Sequence, residues 1–197
     1  MSETIEDATF RDEDWYAEEL VGRHFVGCSL QRVDLGEATS RGATFTECSF
    51  GNVSFNSSRH ADSAFVRCAF RRCNLFDVEF AGCKLVGSTF QECDLRPLRV
   101  TGGDWSFVAL PGADLRGATF TGVRMREADL TGADLTDATV TGVDLSGAQL
   151  RGARLTRADL RGSDLTALDP LSVQRDGALI DAEQALVLAQ ALGFELR

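Results

Sequence analysis

Little in this sequence points toward a membrane, a metal or a reaction. No apolar run among its 197 residues approaches the ~20 needed to span a bilayer. The N-terminus, MSETIEDATF, is acidic where a secretory signal would be basic, so a cytoplasmic protein is expected. Two histidines and six cysteines are present, but no paired CxxC and no cysteine beside a histidine, which argues against zinc. There is no phosphate loop and no nucleophile motif. Neither an enzyme nor a cofactor is expected. The net charge of −10 comes without any basic stripe, which excludes direct binding to nucleic acid.

What the chain has in abundance is a repeat of five residues. It is cleanest from Ala113 to Leu165, which begins ADLRG ATFTG VRMRE ADLTG. A period of this kind has to be recognised before any helix or strand is assigned. A large apolar residue, the centre of each repeat, falls on every residue number divisible by five from Phe10 to Leu165. Of these 32 centres, 30 are Leu, Phe, Val, Met or Trp, and the exceptions are Ser40 and His60. Two residues before the centre, 28 of 32 positions hold Ala, Cys, Ser, Val or Gly; the misfits are Glu13, Glu18, Arg23 and Leu98. No insertion breaks the count, so the array is continuous.

Side chains two apart on an extended segment share a side. The small residue and the centre therefore face one interior, while the residue between them, often Asp, faces out. Two further outward residues follow, which a plain strand cannot accommodate, so the chain turns there. Of the 19 glycines, 14 occupy the second of these turn positions. A helix is a poor alternative, because a period of five walks around its 3.6-residue turn and leaves no apolar stripe. Each coil buries its core only by stacking on the next. Spacing alone leaves the number of sides per coil open.

The A(D/N)LXX pattern, running over roughly residues 8–167, resembles the pentapeptide-repeat family. The resemblance implies an all-β solenoid, a right-handed quadrilateral β-helix with four repeats, or about 20 residues, per coil. The mid-chain CDLRPL, the later GARLTRADLRGSDL and a tail of form DP…GALIDAEQA…ALGF are similar to the fluoroquinolone-resistance members of that family. They imply a DNA-mimicking dimer that binds DNA gyrase, at its ATPase domain or its cleavage core, and protects it from fluoroquinolones. Other members imply the alternative of a scaffolding rod with a different protein partner.

Three segments are expected: an acidic one at residues 1–20, the array at 8–167, and a C-terminal capping and dimerisation segment at 168–197 with a helix over about 181–192. Residues 1–20 carry eight acidic groups against the single Arg11. They read as an irregular first coil whose charges protect an open end from edge-to-edge association. All six cysteines, Cys28, Cys48, Cys68, Cys73, Cys83 and Cys93, occupy the small inward slot, as reduced packing thiols would. Ser40 and His60 mark a less apolar seam where the register relaxes. The stretch RPLRVTGGDWSFVALPG, Arg96 to Gly112, holds two of the three prolines, a Gly pair and the oversized Leu98; a kink or bulge is expected. At the far end, Asp181 and Gln184 form a capping box and Gly193 closes the helix. Leu186, Val187, Leu188, Leu192 and Phe194 make that helix apolar on nearly every side. One face would cap the last coil and another would join a homodimer through the C-termini.

With a 20-residue coil the charges fall unevenly on four faces. The face through Leu35, Leu115 and Leu135 carries −5. Its candidate partner-binding carboxylates are Asp34, Glu37, Asp77, Asp94, Asp114, Asp134 and Asp137, interrupted by Arg96, Arg116, Arg154 and Arg157.

Overall fold

The structure is a computed structural model that describes residues 4–195. Met1 to Glu3 of the expected N-terminal segment and the last two residues of the C-terminal one lie outside the described residues. Every strand pairs in parallel with the segment 20 residues further on. On one side of the solenoid Thr4–Glu6, His24–Val26, Thr44–Thr46 and Ala64–Val66 form a ladder in which Ile5 faces Phe25, Phe25 faces Phe45 and Phe45 faces Phe65. A second side is a sheet of five strands and a third a sheet of seven. The fourth, through Leu35, Leu115 and Leu135, is held by single bridges such as Asp14 to Asp34 and Asp114 to Asp134; it is called the first face below. The molecule is thus a four-sided parallel β-solenoid with one short helix, Ala182–Ala191, at its C-terminal end.

The turn chemistry follows from the repeat. The second outward position of almost every repeat takes a left-handed backbone, with φ of +48° to +73° at glycines and non-glycines alike, from Asp7 to Gly177. Seventeen residues with a Cβ adopt it, among them Ala17 at +55° and Glu127 at +52°, so the stacking imposes a conformation that these residues disfavour when isolated. Inside, aromatic rings stack at the rung spacing: Phe25, Phe45 and Phe65 with centroids 4.6 and 4.9 Å apart, and Phe50, Phe70 and Phe90 at 4.7 and 4.6 Å.

Several expectations need correction. The first coil is regular, since Thr4–Glu6 and Thr9–Arg11 pair with the strands 20 residues on. Glu13 leaves the interior and accepts a hydrogen bond from the Trp15 indole at 2.9 Å. At the other end the bridges continue past Leu165, joining Arg154 to Gln174 and Asp159 to Leu179. Pro170, buried at a centre, masks that continuation because it is neither Leu nor Phe.

The register does not relax at Ser40 and His60 either. Ser40, His60 and Phe80 stay in one ladder, because the polar atoms satisfy one another. Ser40 Oγ lies 2.8 Å from His60 Nδ1 and from Ser63 Oγ, while Ser58 Oγ lies 3.0 Å from His60 Nε2. Burial depresses the His60 pKa to about 3 from an ordinary 6.5.

The mid-chain irregularity is real but confined to one side. Leu98–Thr101 pairs with both Val78–Ala81 and Thr119–Thr121, and Asp104 bridges Lys84 and Arg124, so two sides pass through without a slip. On the first face the ladder opens: Asn74 bridges Asp94 and Asp114 bridges Asp134, but among the described residues no backbone hydrogen bond joins 92–97 to 111–116. Pro97 occupies a turn slot that elsewhere donates an N–H from a left-handed backbone, and proline has neither the N–H nor that φ. Pro111 stands opposite, at the other edge of the gap.

The turn conformation and the buried histidine are both open to measurement. Gly132 has φ +67° and open space where a Cβ would project, so Gly132→Ala lowers stability by about 1 kcal/mol through backbone conformation alone, and Ala17→Gly raises it by a similar amount; chemical denaturation measures both. For His60, the unfolded state binds a proton below pH 6.5 that the native state refuses until about 3. Stability is therefore full above pH 6.5 and falls as the pH drops, by roughly 2 kcal/mol at pH 5 from this residue. Denaturation at pH 7 and pH 5 checks this, and His60→Leu should flatten the difference.

Candidate functional site

The first face brings the predicted carboxylates together as two columns. Asp14, Asp34, Asp94, Asp114 and Asp134 stand in the slot before the centre, and Glu37, Asp77 and Asp137 stand in the turn. The slot before the centre has a local duty. Asp34 Oδ1 accepts the Gly36 N–H at 2.8 Å, and Asp14, Asp94, Asp114 and Asp134 accept from the residue two further on at 3.0 to 3.3 Å. The same bond recurs on the other faces, at Asp104, Asp129, Asp144 and Asp164. Aspartate here serves the turn first, and one carboxylate oxygen remains for a partner.

What distinguishes the carboxylates is which of them have an arginine. Arg96 and Arg116 both reach Asp114, at 3.1 and 2.7 Å. Arg157 pairs with Asp137 at 2.6 Å, Arg154 with Asp134 at 3.6 Å, and Arg99 with Asp77 from the adjoining face. The guanidinium hydrogen bonds hold Asp114, Asp137 and Asp77 below the usual carboxylate range. Asp114 and Asp134 line a shallow groove together with Arg116, Arg154 and the turn glycines Gly112, Gly132 and Gly152. Between residues 93 and 157 the face holds four carboxylates and four arginines. Its entire net charge of −5 therefore sits between residues 13 and 77, on Glu13, Asp14, Asp34, Glu37 and Asp77, where no basic residue of that face intervenes.

Within this N-terminal half, Asp14, Asp34 and Glu37 have no ion-pair partner among the described residues. The nearby carboxylates, Glu37 foremost and then Asp34, hold the Tyr16 hydroxyl pKa above its ordinary range. Tyr16 and Phe76, each 50% exposed, stand in one column of the same half. Sequence reasoning placed the seven carboxylates on one face but missed their pairing. The signal was available: arginine follows an acidic residue by 20 positions at Asp12 and Arg32, Glu47 and Arg67, Asp134 and Arg154, and Asp137 and Arg157.

At the C-terminal end the helix does both polar and apolar work. Asp181 and Gln184 form the expected capping box. The buried Gln184 amide also donates to the Leu160 and Ser163 carbonyls at 2.6 and 2.7 Å, closing the last open rung. Leu188 is half-buried against the core, which makes it part of the cap. Val187 is half-buried, while Leu186, Leu192 and Phe194 are 42% to 65% exposed; Leu171 and Leu179, just before the helix in the chain, are exposed as well. No helix among the described residues is long and apolar enough to cross a membrane.

Known proteins share this architecture. The family described as pentapeptide repeat region matches residues 73–150, and the family described as pentapeptide repeats matches residues 24–59. The chain belongs to the pentapeptide-repeat family. Full-length QnrB1, a plasmid-mediated fluoroquinolone resistance protein, superposes with a TM-score of 0.60 at 21% identity, over 98% of this chain and 100% of its own. HetL, a pentapeptide repeat protein involved in heterocyst differentiation regulation in the cyanobacterium Nostoc, gives a TM-score of 0.47 at 21% identity, over 89% of this chain and 86% of its own. No curated protein matches the chain.

The turn bond and the charge can be separated by mutation. Asn74 already fills the slot before a centre and accepts the Phe76 N–H at 3.0 Å. Asp34→Asn should therefore leave stability within about 0.5 kcal/mol, whereas Asp34→Ala, which loses the acceptor, should cost about 1 kcal/mol. Urea denaturation of the two variants gives the comparison.

Proposed function

We propose that this chain is a DNA mimic of the fluoroquinolone-resistance type, akin to the mycobacterial protein MfpA and to the Qnr proteins, that binds DNA gyrase and lessens quinolone damage to it. The observation that carries this reading is the acidic N-terminal half of the first face, where Asp14, Asp34 and Glu37 have no ion pair among the described residues and stand with Glu13 and the Arg99-paired Asp77 on a rigid ladder. Rungs repeat at about 4.8 Å, whereas duplex DNA bears a charge per ~1.7 Å of axis. The imitation is partial in density and relies on fixed placement against a basic protein surface. Gyrase offers two such surfaces, its ATPase domain and its cleavage core, and both remain candidates. Neither nucleic acid nor a membrane is a partner in this reading.

The protein acts as a homodimer joined through its C-termini, with Leu186, Leu192 and Phe194 at the centre of the contact and Val187 and Leu188 at its edge. The chain's own solenoid leaves those three side chains open, and a patch of this kind marks an interaction surface. Light scattering should find a species of twice the 21.3 kDa chain mass, reduced to a monomer by Leu186→Glu. A 21.3 kDa wild-type species at micromolar concentration would contradict the dimer.

A second reading, a scaffolding rod for another protein, draws on the turn bonds and arginine pairs that already engage the C-terminal half of the face. Two double variants decide between the readings. Asp34→Asn with Glu37→Gln should weaken gyrase binding about tenfold or more, and Asp114→Asn with Asp134→Asn much less, because arginines already offset the second pair. Equal effects, or none, would favour the scaffold.

A further inference from the structure

The gap in the first-face ladder exposes a thiol. Five cysteines are buried and Cys93 alone is half-buried. Each of the five donates to a carbonyl 23 residues earlier, as Cys48 does to Phe25 at 3.5 Å and Cys68 to Phe45 at 3.3 Å. Cys93 makes only the local bond to Gln91, at 3.4 Å. It lies at the lip of the opening, where among the described residues no backbone hydrogen bond joins residues 92–97 to 111–116 and only the Arg96–Asp114 ion pair, at 3.1 Å, spans the two rungs.

Beneath Cys93 the ladder is bonded on either side of the thiol, at Gln91 and Asp94. The Asp94 N–H donates to the Cys73 carbonyl at 3.0 Å, and Asn74 bridges Asp94, so Cys73 is the residue directly one rung below. A rung spacing of about 4.8 Å falls within the Cα separation of about 4.4–6.8 Å that a disulfide requires. The neighbouring Cys73 thiol lowers the Cys93 pKa, and the neighbouring Cys93 raises that of Cys73. An accessible thiol stacked one rung above a buried one is the arrangement of a reactive cysteine with its resolving partner.

We propose that Cys93 and Cys73 are a peroxide-reactive thiol pair on the first face, reduced at rest. The Cys93 thiolate attacks one oxygen of a peroxide; the S–O bond forms, the O–O bond breaks, and the other oxygen leaves as hydroxide and is protonated. The Cys73 sulfur then attacks the Cys93 sulfenic acid, the S–S bond forms, and water departs with the Cys73 proton. One hydrogen peroxide is reduced to two waters and two thiols become one disulfide. Cys28, Cys48 and Cys68 stack at the same 20-residue spacing, but continuous ladder closes over them and keeps peroxide out.

The test treats the folded full-length protein with hydrogen peroxide, blocks free thiols and maps the products by peptide mass spectrometry. The expected product is a Cys73–Cys93 disulfide, reversed by dithiothreitol, formed at least about tenfold faster than any oxidation of the other four cysteines. In Cys73→Ala, a residue that Ala113 and Ala133 already supply in the same slot of later coils, Cys93 sulfenic acid should accumulate and be trapped by dimedone. Circular dichroism verifies that this variant folds, and wild-type mapping decides alone if it does not. Cys93 reacting no faster than the buried thiols, or oxidising without linking to Cys73, would overturn the proposal.

Discussion

The coils of this solenoid are bonded backbone to backbone, each to the next, and the other features follow from that ladder. It holds the turn positions in a left-handed backbone even where the residue is Glu, Arg or Phe, as at Glu127, Arg157 and Phe107. It stacks phenylalanines at 4.6 to 4.9 Å and so turns single inward side chains into continuous columns. It also fixes surface charges in columns with no freedom to slide. A carboxylate and an arginine 20 residues apart are brought side by side by the fold before either side chain chooses a rotamer, as at Asp134 and Arg154.

That last effect reshapes what the acidity of the chain means. A total of −10 suggests a uniformly negative rod. The ladder instead sorts the first face into a compensated half, where arginines answer Asp114, Asp134 and Asp137, and an uncompensated half around Asp34 and Glu37. Exposed ion pairs of this kind contribute little to stability, but they cancel the local field that a basic partner would feel. Where a partner docks is decided by pairing as much as by acidity.

Much of this was legible in the sequence. The five-residue period announced the inward pairs, the outward Asp and the turn glycines, and the capping box at Asp181 and Gln184 was visible as spacing. Other features were hidden for physical reasons. Pro170 masks the final coil because a buried proline does not look like a core residue. Glu13 breaks the inward pattern without breaking the coil, since its carboxylate reaches the Trp15 indole from outside. His60 looked like a fault line because the serines around it are scattered along the chain, at Ser40, Ser58 and Ser63, and only the coil length brings them together. The disturbance around Pro97 and Pro111 was predicted, but its confinement to one face depends on ladder bonds that composition does not display.

The most direct measurement is binding of the purified protein to the isolated ATPase domain and to the cleavage core of DNA gyrase, each with and without competing linear duplex DNA. If the uncompensated half of the first face imitates DNA, one of the two parts binds the protein and linear DNA displaces it. Failure of a folded, dimeric preparation to bind either part, or binding that DNA leaves untouched, would contradict mimicry and leave a pentapeptide-repeat rod whose partner lies elsewhere.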